Sequence, residues 1–329
     1  KAKSVIFALL HFSNTGVFEK CPALRGRTGT SDLIRGSLRQ VFYGLRQGDA
    51  MKASYLPSLC AGLALCVSGA FALPVAAAEP KAAVTVQWLG HAAFKLTSVS
   101  GKVILIDPYL TQNPKAPEKY KDLKALGKID LILVTHAHAD HVGDAPELAK
   151  LHNAPLYGPA GLNDTLVALG ELPAKLAPRF NKGGVITPLG PDIRITMTRA
   201  EHSSEYKWKN SKSGETEVHV GGEPAGFIVE FENGFKLYHM GDTGLFGDLK
   251  LIGEYYRPDL VLIPIGGHFV LSPADAAYAT NHYLKPRFAI PIHYGTNPNL
   301  KGTPAEYLAA LGQTRTKVHV LQPGATLTF

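Results

Sequence analysis

The sequence predicts an α/β fold in which two β-sheets pack together and helices cover their outer faces. Three observations predict it. Short apolar runs of strand length recur through both halves of residues 84–321. Helix-length segments are interspersed between them rather than gathered at one end. Polar residues with metal-binding or acid–base chemistry stand just after several of the runs, where a sheet ends.

The first run, 84–89, alternates in character as a strand does. Strand 93–97 follows Gly90-His91, and strand 102–106 runs into Asp107-Pro108. The uninterrupted apolar run 130–134 reads as a buried strand. A helix is predicted over 144–152, with Pro146 in its first turn. Strand 156–157, helix 161–169 and strand 193–197 come next. Strands 226–231 and 235–239 are joined through Asn233-Gly234, a hairpin signal. Residues 207–215 read as a Lys- and Ser-rich loop that, with Tyr206 and Trp208, would form a substrate lip. Helix 248–256 and strand 260–264 precede a helix over 273–284. That helix opens on Ser272-Pro273-Ala274-Asp275, with a capping serine, proline at the first position and an acid in the first turn. Strand 288–292, helix 304–311 and strand 318–321 complete the order.

Directly after strand 130–134 stands Thr135-His136-Ala137-His138-Ala139-Asp140-His141. Small residues separate His136, His138 and Asp140, so an extended backbone would aim all three to one side. His141 is offset by one and reaches a different place. Imidazole nitrogen with carboxylate oxygen is a ligand set for Zn²⁺, or for Mn²⁺ or Fe²⁺. Later strand ends add His202, Asp242 and His293. Each alone reads as an ordinary hydrogen-bonding residue. Together with His136 to His141 they supply ligands on both sides of two adjacent ions and an oxygen donor to share between them.

Charge and cysteine content are uneven along the chain. Residues 1–50 are basic and lack sustained periodicity. Met51-Lys52 is followed by a charge-free stretch, 53–78, that ends in Ala76-Ala77-Ala78 before Glu79. A short basic start, an apolar middle and a small-residue cleavage site describe a secretory signal peptide. Met51 is therefore the expected start, and 1–50 an upstream sequence translated in error or a disordered extension. Residues 79–329 would be the mature domain, exported to the periplasm with no stable membrane anchor after cleavage. The stretch is also long enough to span a bilayer, which would make it an anchor behind a cytoplasmic extension. Pro57, Pro74, Gly62 and Gly69 and the alanine-rich exit favour cleavage. Of the net charge of +7, +6 belongs to residues 1–78, which leaves +1 for 79–329. The basic balance is thus no argument for nucleic acid as a partner. Cys21, Cys60 and Cys66 lie in the same segment, so the domain would depend on a packed core and not on disulfides.

These residues resemble the metallo-β-lactamase superfamily: Asp107 after a strand, then His136-x-His138-x-Asp140-His141, His202, Asp242 and His293 in order. The resemblance covers essentially all of 84–329. It implies an αβ/βα sandwich of two mixed β-sheets flanked by helices, with a dinuclear site at one edge. It implies further that His136, His138 and His202 hold one ion, that Asp140, His141 and His293 hold the other, and that Asp242 bridges them. Asp107 resembles the family's buried acid, which would orient the ligand loop. Trp88-Leu89-Gly90-His91-Ala92, Ala200-Glu201-His202-Ser203-Ser204, Gly241-Asp242-Thr243-Gly244 and Pro291-Ile292-His293-Tyr294-Gly295-Thr296 look like the metal-dependent hydrolase branch. That branch is related to ascorbate-phosphate lactonase and N-acyl-phosphatidylethanolamine phospholipase D. Its members are expected in the cytoplasm, so a signal peptide is a departure. A cysteine at position 242 would mark the main zinc β-lactamase class; the chain has Asp.

The implied chemistry is hydrolysis of a small-molecule ester, lactone or phosphodiester. Two divalent ions would lower the pKa of a shared water, giving hydroxide at neutral pH. Asp140 is a candidate proton acceptor as well as a ligand. His268, in the Gly266-Gly267-His268 loop, could hydrogen-bond the oxyanion or a phosphate. His91 is expected behind the ligands or in the pocket wall, and Ser203, Ser204 and Tyr294 could line the pocket. His239 falls within a strand and reads as a core residue. Two other readings stay open: a metal-binding protein without catalysis, and a nuclease of the same superfamily, against which the near-neutral domain argues.

Overall fold

The computed structural model describes residues 83–329. The expected extension 1–50 and signal segment 51–78 lie outside the described residues. The first half contains β1 (Thr85–Gly90), β2 (Ala93–Thr97), β3 (Val103–Ile106), β4 (Leu131–Leu133), α1 (Ala139–Val142), α2 (Ala145–His152), β5 (Leu156–Tyr157) and α3 (Ala160–Ala168). The second contains β6 (Val185–Ile186), β7 (Arg194–Arg199), β8 (Glu205–Lys209), β9 (Thr216–Val220), β10 (Ala225–Glu230) and β11 (Lys236–His239). It continues with α4 (Asp248–Tyr255), β12 (Leu260–Pro264), α5 (Pro273–Tyr278), β13 (Phe288–Ile292), α6 (Pro304–Leu311), β14 (Lys317–Val318) and β15 (Thr326–Thr328). Among the described residues, no helix is long and apolar enough to cross a membrane.

One sheet has six strands in the order β15-β1-β2-β3-β4-β5, and the other seven in the order β14-β13-β12-β11-β10-β7-β6. Both are mixed. β3, β4 and β5 pair in parallel, whereas β15, β1, β2 and β3 pair antiparallel. β11 to β14 are parallel, and β10, β7 and β6 antiparallel. Alternation along the strands sorts the apolar side chains into three layers. Val86, Phe94, Ile104, Ile106, Leu131 and Leu133 of the first sheet meet Phe227, Val229, Leu237, Leu260, Leu262 and Ile290 of the second. Their neighbours in sequence, Leu105 and Ile132, face outward onto Leu148 of α2 and Leu162 and Leu166 of α3. Tyr238, Val261 and Ile263 face outward onto Leu249 of α4, Ala276 of α5 and Tyr307 of α6. At roughly 1.5–3 kcal/mol per buried large apolar side chain, these layers dominate the favourable side of folding. The predicted class, an αβ/βα sandwich, is the class observed.

The strand directions place the chemistry. β1, β3 and β4 run the same way, as do β7, β11, β12 and β13. Their C-terminal ends carry His91, Asp107, His136 to His141, His202, Asp242, His268 and His293 in turn.

Several local expectations are corrected. Residues 205–220 are a two-stranded hairpin, β8–β9, and not a loop; Glu-Tyr-Lys-Trp-Lys alternates, and its polar members are the exposed ones. Tyr206 packs against the α2/α3 layer and Trp208 Nε1 donates to Glu171 Oε1 at 2.6 Å, so neither forms a free lip. The helix expected over 273–284 ends as an α-helix at Tyr278 and widens into a π-helical turn over Ala279–Leu284. There Thr280 Oγ1 bonds both the Ala276 carbonyl, at 2.8 Å, and Tyr307 Oη, at 2.7 Å. The strand expected over 318–321 covers Lys317–Val318 instead, and β6 and β15, of two and three residues, are too short to show a pattern. The Asn233-Gly234 turn and the Ser272 cap are as expected: Phe231 N bonds Phe235 O at 2.9 Å, and Ser272 Oγ accepts from Asp275 N at 3.1 Å.

Candidate metal centre

The centre is built from the bottom by a buried acid. The chain leaves β3 and turns at Asp107, whose φ of 47° is a left-handed conformation uncommon for a non-glycine residue. The side chain is fully buried. Oδ1 accepts from Thr135 N and Oδ2 from Thr135 Oγ1, both at 2.7 Å, and Oδ2 lies 2.8 Å from His141 Nδ1. An ionised carboxylate only accepts, so His141 carries a proton on Nδ1 and turns Nε2 the other way. Nε2 lies 3.2 Å from Asp242 Oδ1. Asp107 therefore ties the end of β3 to the loop after β4 and aims His141 at Asp242.

The loop itself departs from an extended run. The chain bends over residues 135–138, His138 itself having extended dihedrals (φ −66°, ψ 147°), and then enters the short helix α1. The helical turn ends the expected alternation at His138 and sets the His141 ring beside that of His136, with centroids 4.1 Å apart. Ligand atoms of His136, His138 and His202 lie within 4.8 Å of one another. So do those of His91, Asp140, His141 and His293. Asp242 groups with His136 and His141, one from each set. Its Oδ2 lies 3.9 Å from His136 Nε2, 3.6 Å from His202 Nε2 and 3.0 Å from His293 Nε2.

His141 Nε2, Asp242 Oδ1 and both ring nitrogens of His293 are buried without a hydrogen-bond partner, although Asp242 is close. Buried polar atoms are rarely left unpaired, and several of them converging on a shared space fit a cation. Burial and the neighbouring His141 hold His136 well below the usual histidine range, in the neutral state that a ligand needs. Burial opposes ionisation of Asp242, but the His141 and His293 charges outweigh it and keep its carboxyl well below the carboxylate range. For His141, burial is outweighed by the Asp242 and Asp107 carboxylates, which raise it, so an ion bound there would displace a proton. The donor set of imidazoles and carboxylates suits divalent transition-metal ions.

Four contacts went unread in the sequence. His138 Nε2 lies 3.0 Å from Glu205 Oε2, at the root of the β8–β9 hairpin. His138 Nδ1 faces His136 Nε2 at 3.0 Å. Thr135 supplies the two bonds to Asp107, and Thr296 Oγ1 lies 2.6 Å from His91 Nδ1. The contacts of Glu205, Thr135 and Thr296 carry no signal of their own, because each joins residues distant in sequence. Ser204 Oγ accepts from Ala137 N at 3.1 Å and donates to Gly221 O at 2.9 Å, holding the hairpin root against the loop. A Cβ on Gly221 would collide with Ser204 O and Ala137 Cβ, which explains the glycine.

The remaining candidates separate. His91 is buried beside Asp140, with burial and then His293 lowering its pKa to about 4. His268 is exposed, contacts only the ring of Phe269, and borders a different cavity with Asn299 and Lys301. Ser203 and Ser204 line a cavity of about 510 Å³ with His202, Arg199 and Lys182. Tyr294 packs on Trp88 instead, with ring centroids 5.7 Å apart. His239 is a core residue: Nε2 donates to Ala92 O at 2.9 Å and Nδ1 accepts from Gly241 N at 3.1 Å.

A family model described as the beta-lactamase superfamily domain matches residues 102–294. The chain is 56% identical over 253 residues to a UPF0173 metal-dependent hydrolase of Polaromonas sp., covering 77% of this chain and 92% of the relative. It is 58% identical over 259 residues to another from Cupriavidus necator, covering 78% and 90%. Among solved structures it is similar to Igni18, described as a novel metallo hydrolase of the archaeon Ignicoccus hospitalis. That likeness has 34% identity and a TM-score of 0.63, over 75% of this chain and 98% of the other. With its strand-end cluster and these relatives, the chain belongs to the β-lactamase superfamily and, within it, to the UPF0173 metal-dependent hydrolases.

Proposed function

We propose that the chain hydrolyses a small-molecule ester, lactone or phosphodiester at a dinuclear centre. His136, His138 and His202 would hold one divalent ion; Asp140, His141 and His293 the other; and Asp242 both. Zn²⁺ is the first choice of ion, with Mn²⁺ or Fe²⁺ as alternatives. The observation that carries the reading is the position of Asp242 between the two sets, with buried atoms of Asp242, His141 and His293 lacking partners. A pair of ions bound there supplies a water of lowered pKa and a Lewis acid for the scissile bond.

The side chains do the rest. Asp107 holds His141 in the tautomer that turns Nε2 inward. Asp140 Oδ2 is occupied by His91, which leaves Oδ1 to contact an ion or accept a proton. The cavity of about 510 Å³ beside His202 suits a small molecule. Its cations are matched by acids: Lys182 pairs with Glu223, and Arg199 with Glu201 at 2.6 Å. Export to the periplasm is proposed alongside, from the 51–78 segment alone.

Elemental analysis of purified protein after removal of loose metal tests the reading. About two transition-metal ions per chain are expected, and hydrolysis of one of the three bond classes that is lost on chelation and regained on refilling. No metal after refilling attempts overturns it. Two ions with no hydrolysis in any class would favour the metal-binding protein without catalysis.

Glu205 gives a graded test. Its carboxylate accepts from His138 Nε2–H and thereby presents Nδ1 toward His136. Glu205→Ala is expected to weaken retention of one ion by about 10–100-fold, and Glu205→Gln, which keeps an acceptor, by less. Competition against a chelator of known affinity measures both. Equal retention in all three proteins would remove Glu205 from the site.

A further inference from the structure

His91 is one residue more than the set of Asp140, His141 and His293 requires. It sits in the turn between β1 and β2 with φ 55°, an uncommon conformation for a side chain that is only 2% exposed. Its ring has a partner at each nitrogen: Asp140 Oδ2 lies 3.0 Å from Nε2 and Thr296 Oγ1 2.6 Å from Nδ1. A carboxylate can only accept, so Nε2 bears the proton, and Nδ1 accepts from the threonine hydroxyl. Both ends of the imidazole are thus assigned, and its tautomer follows from its neighbours. The backbone is fixed as well: His91 O accepts from Trp88 Nε1 at 3.0 Å and from His293 N at 3.2 Å. The His91 ring lies against that of His293, with centroids 3.8 Å apart.

We propose that Thr296, His91 and Asp140 form an orienting chain, in which Thr296 and His91 act as positioning residues that set the direction of the Asp140 carboxylate. The inference rests on the dinuclear reading above. Asp140 needs such a device. Its side chain is 42% exposed and sits in a four-residue helix, and the contact with His91 is its one side-chain hydrogen bond among the described residues. The chain links the two sheets at their common edge, since His91 follows β1 and Thr296 follows β13. Its geometry engages Oδ2 and leaves Oδ1 free. Thr296 is the member that can be altered with least disturbance, because it is partly exposed and touches the centre only through His91.

Thr296→Val keeps the shape and removes the hydroxyl; Thr296→Ser restores it. The probe is cobalt(II) added to metal-stripped full-length protein, read by affinity competition and by the visible absorption of the bound ion. The unsubstituted protein is expected to take up two ions. Thr296→Val should hold one of them about 10–100-fold more weakly, with an altered absorption band, while the other ion and the thermal midpoint of the metal-free protein stay unchanged. Thr296→Ser should return both affinity and spectrum. Two ions bound by Thr296→Val with unsubstituted affinity and spectrum would overturn the chain and leave the dinuclear reading standing. Failure of the unsubstituted protein to bind two ions would overturn both.

Discussion

Asp242→Ala leaves the chain with less than one retained ion, and hydrolysis falls by about a thousandfold or more, roughly 4 kcal/mol of transition-state stabilisation. The size of the effect follows from position. Asp242 groups with His136 from one ligand set and with His141 from the other. In the proposed dinuclear centre, removing its carboxylate would take a negative donor from both ions at once and leave two cations to repel across the gap. A ligand that serves one ion, such as His202, should cost less. Its loss is expected to halve the metal content and not to abolish it. Plasma mass spectrometry of the two variants beside the parent, with turnover measured in excess metal, separates the outcomes. Equal metal loss in both variants would mean that Asp242 serves no more ions than His202 does.

Asp107→Ala lowers the unfolding free energy by about 3–5 kcal/mol, the loss expected on stripping a buried charge from its partners. The carboxylate is fully buried and takes three bonds, from Thr135 N, Thr135 Oγ1 and His141. Without it, those buried donors are left unpaired. Asp107→Asn separates structure from chemistry. Its carbonyl can still accept from Thr135 N, so the stability loss is smaller. Its amide presents hydrogens to His141 Nδ1, which favours the opposite tautomer and turns a protonated Nε2 toward Asp242. Denaturant titration of metal-free protein should rank parent, Asn and Ala in falling order. Ion affinity should drop about 10–100-fold in the Asn variant. An Asn variant with parental ion affinity would reduce Asp107 to a purely structural residue.

The hairpin at 205–220 shows where reading along the chain stops. Glu205-Tyr206-Lys207-Trp208-Lys209 has the alternation of a strand, but lysines and serines nearby gave it the composition of a loop. What makes it a strand is a face that packs on α3 and on Glu171, elements that lie earlier in the chain. The same holds for Glu205 and Thr296. Each becomes part of the centre through a partner far away: 67 residues for His138 and 205 for His91. His268 gives the converse case. Its glycine-rich strand-end loop resembled the ligand loops, yet the fold turns it outward against Phe269, at the edge of another cavity.

By itself the sequence determined the layered class and the inventory of the centre. Uninterrupted or alternating apolar runs can be satisfied only by burial on one or both faces, and the reactive residues stand at the ends of those runs. Tertiary structure alone decided how the inventory is divided. The short helix at 139–142 places Asp140 with His91, His141 and His293 while His141 stays beside His136, and the second sheet delivers Asp242 to both His136 and His141. Tautomers and carboxylate directions were decided there too, since each depends on which donor or acceptor a distant strand delivers to within 3 Å or so.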